Sequence, residues 1–188
     1  MTLDETLQEG LGLLAAAVTD RRSPFRTLVL ATVDADGAPS ARILVLRAFD
    51  PKANRISLHT DRRSAKQAEL LANPAAAVLA WDPTRRLQVR LRGRATLHRD
   101  DDVARAEWAD LPAGARRLYR ERRMPGSALA DPSPRPEDEL SEPQGFGQFL
   151  VIRVVFDRME TLSLTDGGQI RAGFDFSAAG VAASWLVP

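Results

Sequence analysis

Three strand-forming runs follow one another with only short turn sequences between them, and this succession constrains the fold more than any other feature. Arg26–Val33 (RTLVLATV), Ser40–Phe49 (SARILVLRAF) and Arg55–Thr60 (RISLHT) are rich in apolar and β-branched residues, which suit a pleated, half-buried surface. Between them, Asp34-Ala35-Asp36-Gly37 and Asp50-Pro51-Lys52-Ala53-Asn54 carry turn chemistry. The spacing predicts an antiparallel meander.

The remaining runs extend the pattern. Ala75–Trp81 reads as a buried strand. Leu87–His98 (LQVRLRGRATLH) alternates, with Leu87, Val89 and Leu91 on one face and Gln88, Arg90 and Arg92 on the other. Phe149–Phe156, Glu160–Thr165 and Gln169–Phe176 read as closing strands, with Asp166-Gly167-Gly168 as a turn. A helix is expected at the N-terminus, where Thr2 and Glu5 form a capping-box pair and Leu3, Leu7, Leu11, Leu14 and Val18 recur at helical spacing. A second is expected after Ser64, stopped by Asn73-Pro74. Asp100–Leu111 and Pro112–Arg123 read as two more, and residues 124–145 as a long, proline-rich loop. The apolar end Ser184–Pro188 is expected to be docked. Together these predict one mainly-β domain over residues 1–188, a small antiparallel β-barrel with helices packed on its outside. The regular strand–helix alternation of a doubly wound sheet is absent.

Composition narrows the chemistry. The chain of 188 residues has no cysteine and two histidines. Disulfides, thiol catalysis, iron–sulfur clusters and thiolate zinc sites are excluded, and His59 with His98 makes a poor metal ligand set. Its 26 basic residues balance 25 acidic ones, so no field favours nucleic acid or an anionic membrane. Leu11–Val18 is too short to span a bilayer, which takes about 20 residues, and lacks a basic lead-in. The expected compartment is the cytoplasm. No P-loop, G-x-S-x-G elbow or Rossmann fingerprint occurs. Only Lys52 and Lys66 among the basic residues are lysines, an arginine excess that coding bias also explains.

Three constellations remain. Arg42-Ile43-Leu44-Val45-Leu46-Arg47 places arginines at both ends of an apolar strand, on opposite faces; each arginine either meets a partner or reaches solvent. His59-Thr60-Asp61-Arg62-Arg63-Ser64-Ala65-Lys66 runs from a strand end into a helix N-terminus, where free N–H groups and the helix dipole favour an anion. The plainer alternative is a capped surface helix, yet cations in a first turn oppose the dipole and need a compensating reason. Gln88-Val89-Arg90-Leu91-Arg92-Gly93 offers an amide suited to the edge of a heterocycle, and Gly93 in mid-strand suggests a bulge or a ligand's close approach.

Taken in order with Asn73-Pro74, these segments resemble the pyridoxamine 5'-phosphate oxidase-like family of FMN-binding split β-barrels, as do Arg171 and the Trp185–Pro188 end. The resemblance implies a flavoprotein oxidoreductase, a homodimer with one FMN per subunit at the subunit interface. Carried over, Arg42, Ser64 and Lys66 would bind the FMN phosphate, with Arg63 as an addition. Ile43, Leu44 and Thr60 would line the ribityl chain and ring, Gln88 would meet the pyrimidine edge, and Arg171 would approach from the closing strands. Arg47 and Asp61 fall within the same matching segments. The family's cofactor carries the redox chemistry, in keeping with a chain poor in histidine and lacking cysteine.

Some family positions differ. The oxidase's Arg-x-His pair, which reads its vitamin B6 substrate, falls here on Gly167 and Gln169, and an expected aromatic falls near Thr161. Ser64-Ala65-Lys66 replaces Ser-Arg-Lys. Tyr119, Arg123 and Ser127 recur at the spacing of the oxidase's substrate-phosphate residues but lie too far beyond Gly93 to match, and their spacing is read as coincidence. These departures imply a substrate other than pyridoxamine phosphate. A non-catalytic flavin sensor or carrier, and a deazaflavin-dependent reductase on the same barrel, are the alternatives; a nucleic-acid-binding barrel is disfavoured by the charge balance and the few aromatics.

Overall fold

The computed structural model describes residues 1–131, 133 and 138–188. The three-strand meander forms as expected: β1 (Thr27–Val33), β2 (Pro39–Asp50) and β3 (Arg55–Asp61) pair antiparallel through both turns. β4 (Ala75–Asp82), β5 (Leu87–His98), β6 (Phe149–Thr165), β7 (Gly168–Ser177) and β8 (Gly180–Leu186) complete the sheet. Strand order is β3-β2-β1-β4-β5-β6-β7-β8, and β3 also pairs with β6. That extra pairing closes a six-stranded antiparallel barrel. The first half of β6, Phe149–Val155, seals the barrel against β3, and its second half, from Arg158, carries β7.

β6 is one strand where two were expected. The register shift opposite Arg92 and Gly93 leaves Asp157 as the extra residue of a bulge, which bends the strand without ending it. Gly93 belongs to the same feature. A Cβ there would lie 2.0 Å from the Val155 carbonyl oxygen, so the close approach is made by the neighbouring backbone, not by a ligand.

Inward residues of the barrel, among them Leu28, Leu30, Leu46, Leu58, Val78, Leu91, Ile152 and Phe156, are buried. Leu7 and Leu14 of α1 (Leu3–Thr19) join them, and the Thr2–Glu5 capping box starts this helix. A second core of Trp108, Tyr119, Phe149 and Val151 forms where α3 (Asp102–Ala109) covers the outside of β6. α2 (Ala65–Ala72) follows Ser64.

The predicted helix over Pro112–Arg123 shrinks to α4 (Ala113–Arg116) and a 3-10 turn at Arg117–Tyr119. Beyond it the chain bonds to a distant segment instead, Leu140 N–H to the Arg120 carbonyl and Arg122 N–H to the Asp138 carbonyl. The 124–145 stretch, expected to be all loop, contains the start of α5 (Glu142–Phe146); positions 132 and 134–137 lie outside the described residues. The C-terminal apolar segment is docked by backbone pairing of β8 with β7, yet Trp185 stays half exposed. Among the described residues no helix is long and apolar enough to cross a membrane.

Candidate functional site

The predicted site residues fall into separate places. Arg42, Thr60, Ser64 and Lys66 meet at one mouth of the barrel, under α2. Strand alternation turns Arg42 inward, in the row of Leu30, Val78 and Leu91. Its Nη2 donates to Glu69 Oε2 at 2.7 Å and to Ser40 Oγ at 2.6 Å, and its Nη1 donates to Thr32 Oγ1. Thr32 in turn donates to the same Glu69 oxygen. Burial opposes ionisation of Glu69, but the hydrogen bonds from Thr32 and Arg42 and the charges of Arg42 and Lys66 outweigh it, and its carboxyl is held below the usual range.

Lys66 is the second cation in this mouth. Its Nζ donates to Thr60 Oγ1 at 3.0 Å. Burial and then the charge of Arg42 lower its pKa, against the pull of Asp61 and Glu69. Ser64 occupies the N-cap position of α2 without capping it; its hydroxyl donates to the Asp61 carbonyl at 2.6 Å. An uncapped helix N-terminus, the hydroxyls of Thr60 and Ser64 and the desolvated Lys66 thus lie together, with Arg42 near enough for its charge to act on Lys66. The donor set fits a phosphate dianion, which takes charge-assisted bonds of this kind.

Arg63 and Asp61 do something else. Arg63 donates to Asp61 in a fork, at 3.0 and 2.7 Å, and to the carbonyls of Glu121 and Arg122 at 2.8 and 2.9 Å. This pair ties the 121–122 segment to β3 and compensates the basic first turn. Ile43 and Leu44 point to opposite faces: Leu44 packs against the barrel core, while Ile43 is 68% exposed on the outside.

Arg47 faces outward at the bulge of β2, opposite to Arg42 as alternation predicts. It lines a cavity of about 270 Å³ with Arg26, His59, Glu107 and Leu111. His59 Nε2 lies 2.6 Å from Glu107 Oε2, and Arg153 Nη2 donates to Glu107 Oε1 at 3.0 Å. Tyr119 is buried in the second core; burial, opposed by the charge of Arg47 and aided by that of Asp61, pushes its phenol up to about 12. Arg123 and Ser127 line a separate cavity of about 330 Å³ together with Arg63.

Gln88 and Arg171 lie on the outer face of the sheet. Register sets Trp81, Gln88, Leu162, Arg171 and Leu186 in one row across β4 to β8. Arg171 Nη2 donates to Glu160 Oε2 at 2.6 Å. Within one chain the sheet itself separates this pair from the barrel-mouth group. Sequence reading missed Thr32, Ser40, Glu69 and Glu160. None lies in a recognisable motif, and their partners are 2 to 37 positions away in the chain.

The fold has counterparts among known proteins. The family model for pyridoxamine 5'-phosphate oxidase matches residues 14–161. The chain belongs to the pyridoxamine 5'-phosphate oxidase family. It is 42% identical over 101 residues to the pyridoxine/pyridoxamine 5'-phosphate oxidase of Cupriavidus necator, a match covering 53% of this chain and 46% of that protein. The corresponding protein of Bordetella petrii is 48% identical over 68 residues, 36% of this chain and 31% of that one. The chain thus spans less than half the length of these curated relatives it matches. A crystal structure of a pyridoxamine 5'-phosphate oxidase-related, FMN-binding protein from Nostoc punctiforme superposes with a TM-score of 0.76 at 25% identity, covering 96% of this chain and 97% of that one. PhzG from Burkholderia lata, solved with tetrahydrophenazine-1-carboxylic acid, shares the fold, with a TM-score of 0.70 at 17% identity over 100% of this chain and 94% of that one.

Proposed function

We propose that this chain is an FMN-dependent oxidoreductase acting on a small molecule other than pyridoxamine phosphate. The convergence of Arg42, Thr60, Ser64 and Lys66 at the barrel mouth carries this reading. Arg42, already oriented by Glu69 and Ser40, and Lys66, held by Thr60, would grip the phosphate. FMN, when bound, supplies the electron transfer, so no protein nucleophile or metal is required.

The second group of residues supports a homodimer. Gln88 and Arg171 lie on the opposite side of the sheet from the mouth, so one copy would hold the phosphate while the partner copy presents its amide and guanidinium to the ring. An outer surface suited to a second copy exists. Ile43, Val29 and Leu79 form one row across β2, β1 and β4, and Ile43 and Trp81 are exposed. Within the family, the positions that read the vitamin B6 substrate are Gly167 and Gln169 here. A glycine cannot supply the charge an arginine does there, which supports a different substrate. It equally favours a second reading, a flavin carrier without turnover.

An absorption spectrum of the purified protein, before and after addition of FMN, tests the main reading. A flavin spectrum with uptake of one FMN per chain, by a dimer in sedimentation, is expected. Protein that neither carries nor takes up FMN would sink it, and substrate-dependent bleaching of bound flavin would exclude the carrier.

A further inference from the structure

Arg171 is not alone on the outer face. Glu160 of β6 sits among three arginines: Arg171 Nη2 donates to its Oε2 at 2.6 Å, Arg158 Nε donates to its Oε1 at 2.9 Å, and Arg90 Nη2 lies 3.9 Å from Oε2. Arg158 is in turn held by both oxygens of Asp175, at 2.7 and 2.9 Å. Register dictates this gathering. Glu160 pairs with Arg90 on β5 and Gly173 on β7, and Arg158 pairs with Asp175, so their side chains emerge on one face in adjoining rows. Gly173 leaves the space they use; a Cβ there would lie 3.3 Å from Arg158 Nη2 and 2.9 Å from Leu186 Cδ1.

Glu160 is ionised in this setting. Burial favours its neutral form, but the hydrogen bonds from Arg171 and Arg158 and the charge of Arg90 outweigh that and pull its pKa down to about 2. A permanent carboxylate therefore touches the guanidinium read here as the flavin's neighbour.

We propose that Glu160 positions Arg171 and limits the positive charge that Arg171 presents to the flavin, which makes Glu160 a determinant of the flavin's redox potential. This rests on the reading of the chain as an FMN protein with Arg171 at the ring. A cation beside the ring stabilises the anionic reduced flavin. A carboxylate at 2.6 Å from that cation cancels part of its field and favours the oxidised form. Arg158 acts one step further out, by neutralising Glu160 and fixing its direction. Removing the charge of Glu160 and removing that of Arg158 therefore shift the potential in opposite directions. A purely structural role predicts no such opposition, because loosened packing weakens the binding of both flavin states alike.

The experiment compares FMN-loaded wild type, Glu160→Gln and Arg158→Gln by reductive titration against a reference dye, with the affinity for oxidised FMN measured separately. Glu160→Gln is expected to shift the ratio of reduced to oxidised FMN affinity about tenfold toward the reduced form, equivalent to about 30 mV upward for a two-electron couple. Arg158→Gln is expected to shift it downward. If both variants hold FMN at the wild-type potential, or both shift the same way, the role assigned to Glu160 is overturned while the FMN reading stands. Wild-type protein that takes up no FMN would overturn both.

Discussion

Glu69 in the barrel mouth and Glu160 on the outer sheet face each grip an arginine, at 2.7 and 2.6 Å. They are also similarly shielded, with side chains 9% and 13% exposed. Distance and burial do not separate them; their company does. Glu69 faces one arginine, and the next cation, Lys66, is half-buried beside it. Glu160 is shared by three arginines on an open face, and Arg158 keeps Asp175 whatever happens to Glu160. The difference teaches that an ion pair is best judged by what its removal leaves behind. Deleting Glu69 strands two shielded cations against each other, whereas deleting Glu160 leaves guanidinium groups that have another acid or reach water.

The largest effect should therefore come from the mouth. Glu69→Ala is expected to cost about 3 kcal/mol of unfolding free energy in denaturant titrations of the flavin-free protein, as breaking a shielded pair on one side does. A loss under about 1 kcal/mol, the range of solvent-exposed pairs, would erase the contrast between the two regions.

Lys66→Met sharpens the same comparison from the other side. The lysine is desolvated and repelled by Arg42, so the flavin-free variant should be more stable than wild type, by about 1 kcal/mol, as is common where a site is built for a ligand. Its FMN affinity should fall at least about tenfold, in keeping with a lost charge-assisted bond of roughly 1.5–3 kcal/mol. Calorimetric unfolding and fluorescence titration read the two quantities, and an unchanged FMN affinity would remove Lys66 from the phosphate site.

The outer face should respond less than the mouth. Glu160→Gln should cost less stability at neutral pH than Glu69→Ala, because the arginines it leaves keep other partners or solvent. Its pH dependence has a definite sign. The folded protein depresses the pKa of Glu160, so its contribution is complete above the ordinary value of about 4.3 and is lost as the pH falls toward about 2. Wild type should thus lose more stability than Glu160→Gln across that acid window. Parallel curves would show that Glu160 is not held by its arginines.

Much of this arrangement was legible in the sequence, for reasons that differ by element. Alternation in Leu87–His98 put Gln88, Arg90 and Arg92 on the outer face, as found, because the side-chain period of a strand is independent of what it pairs with. Turn chemistry after Val33 and Asp50 gave the meander. The long strand Phe149–Thr165 has the sequence pattern of two strands because a bulge interrupts its alternation. The helix expected over Pro112–Arg123 was truncated because propensity is a weak prior against tertiary pairing with residues 138–140. Thr60, Ser64 and Lys66, marked by their motifs, lie together, with the charge of Arg42 acting on Lys66. Arg63 carried the same chemical signal, yet its two donor edges are taken up by Asp61 and by backbone carbonyls.

By itself, then, the amino-acid sequence determined the strand faces, the hairpin turns, the capped first helix and a chemistry without thiols. These are local matters of period, φ/ψ preference and functional-group inventory. Only the tertiary structure decided which arginines are held and by whom. Packing of α2 against the barrel put Glu69 beside Thr32 and Arg42, and the β5–β6–β7 register brought Arg90, Glu160, Arg158 and Asp175 to one face. The physical reason is that a guanidinium's free energy is set by charges and hydrogen bonds within a few ångströms, and long-range strand pairing determines which groups come that close.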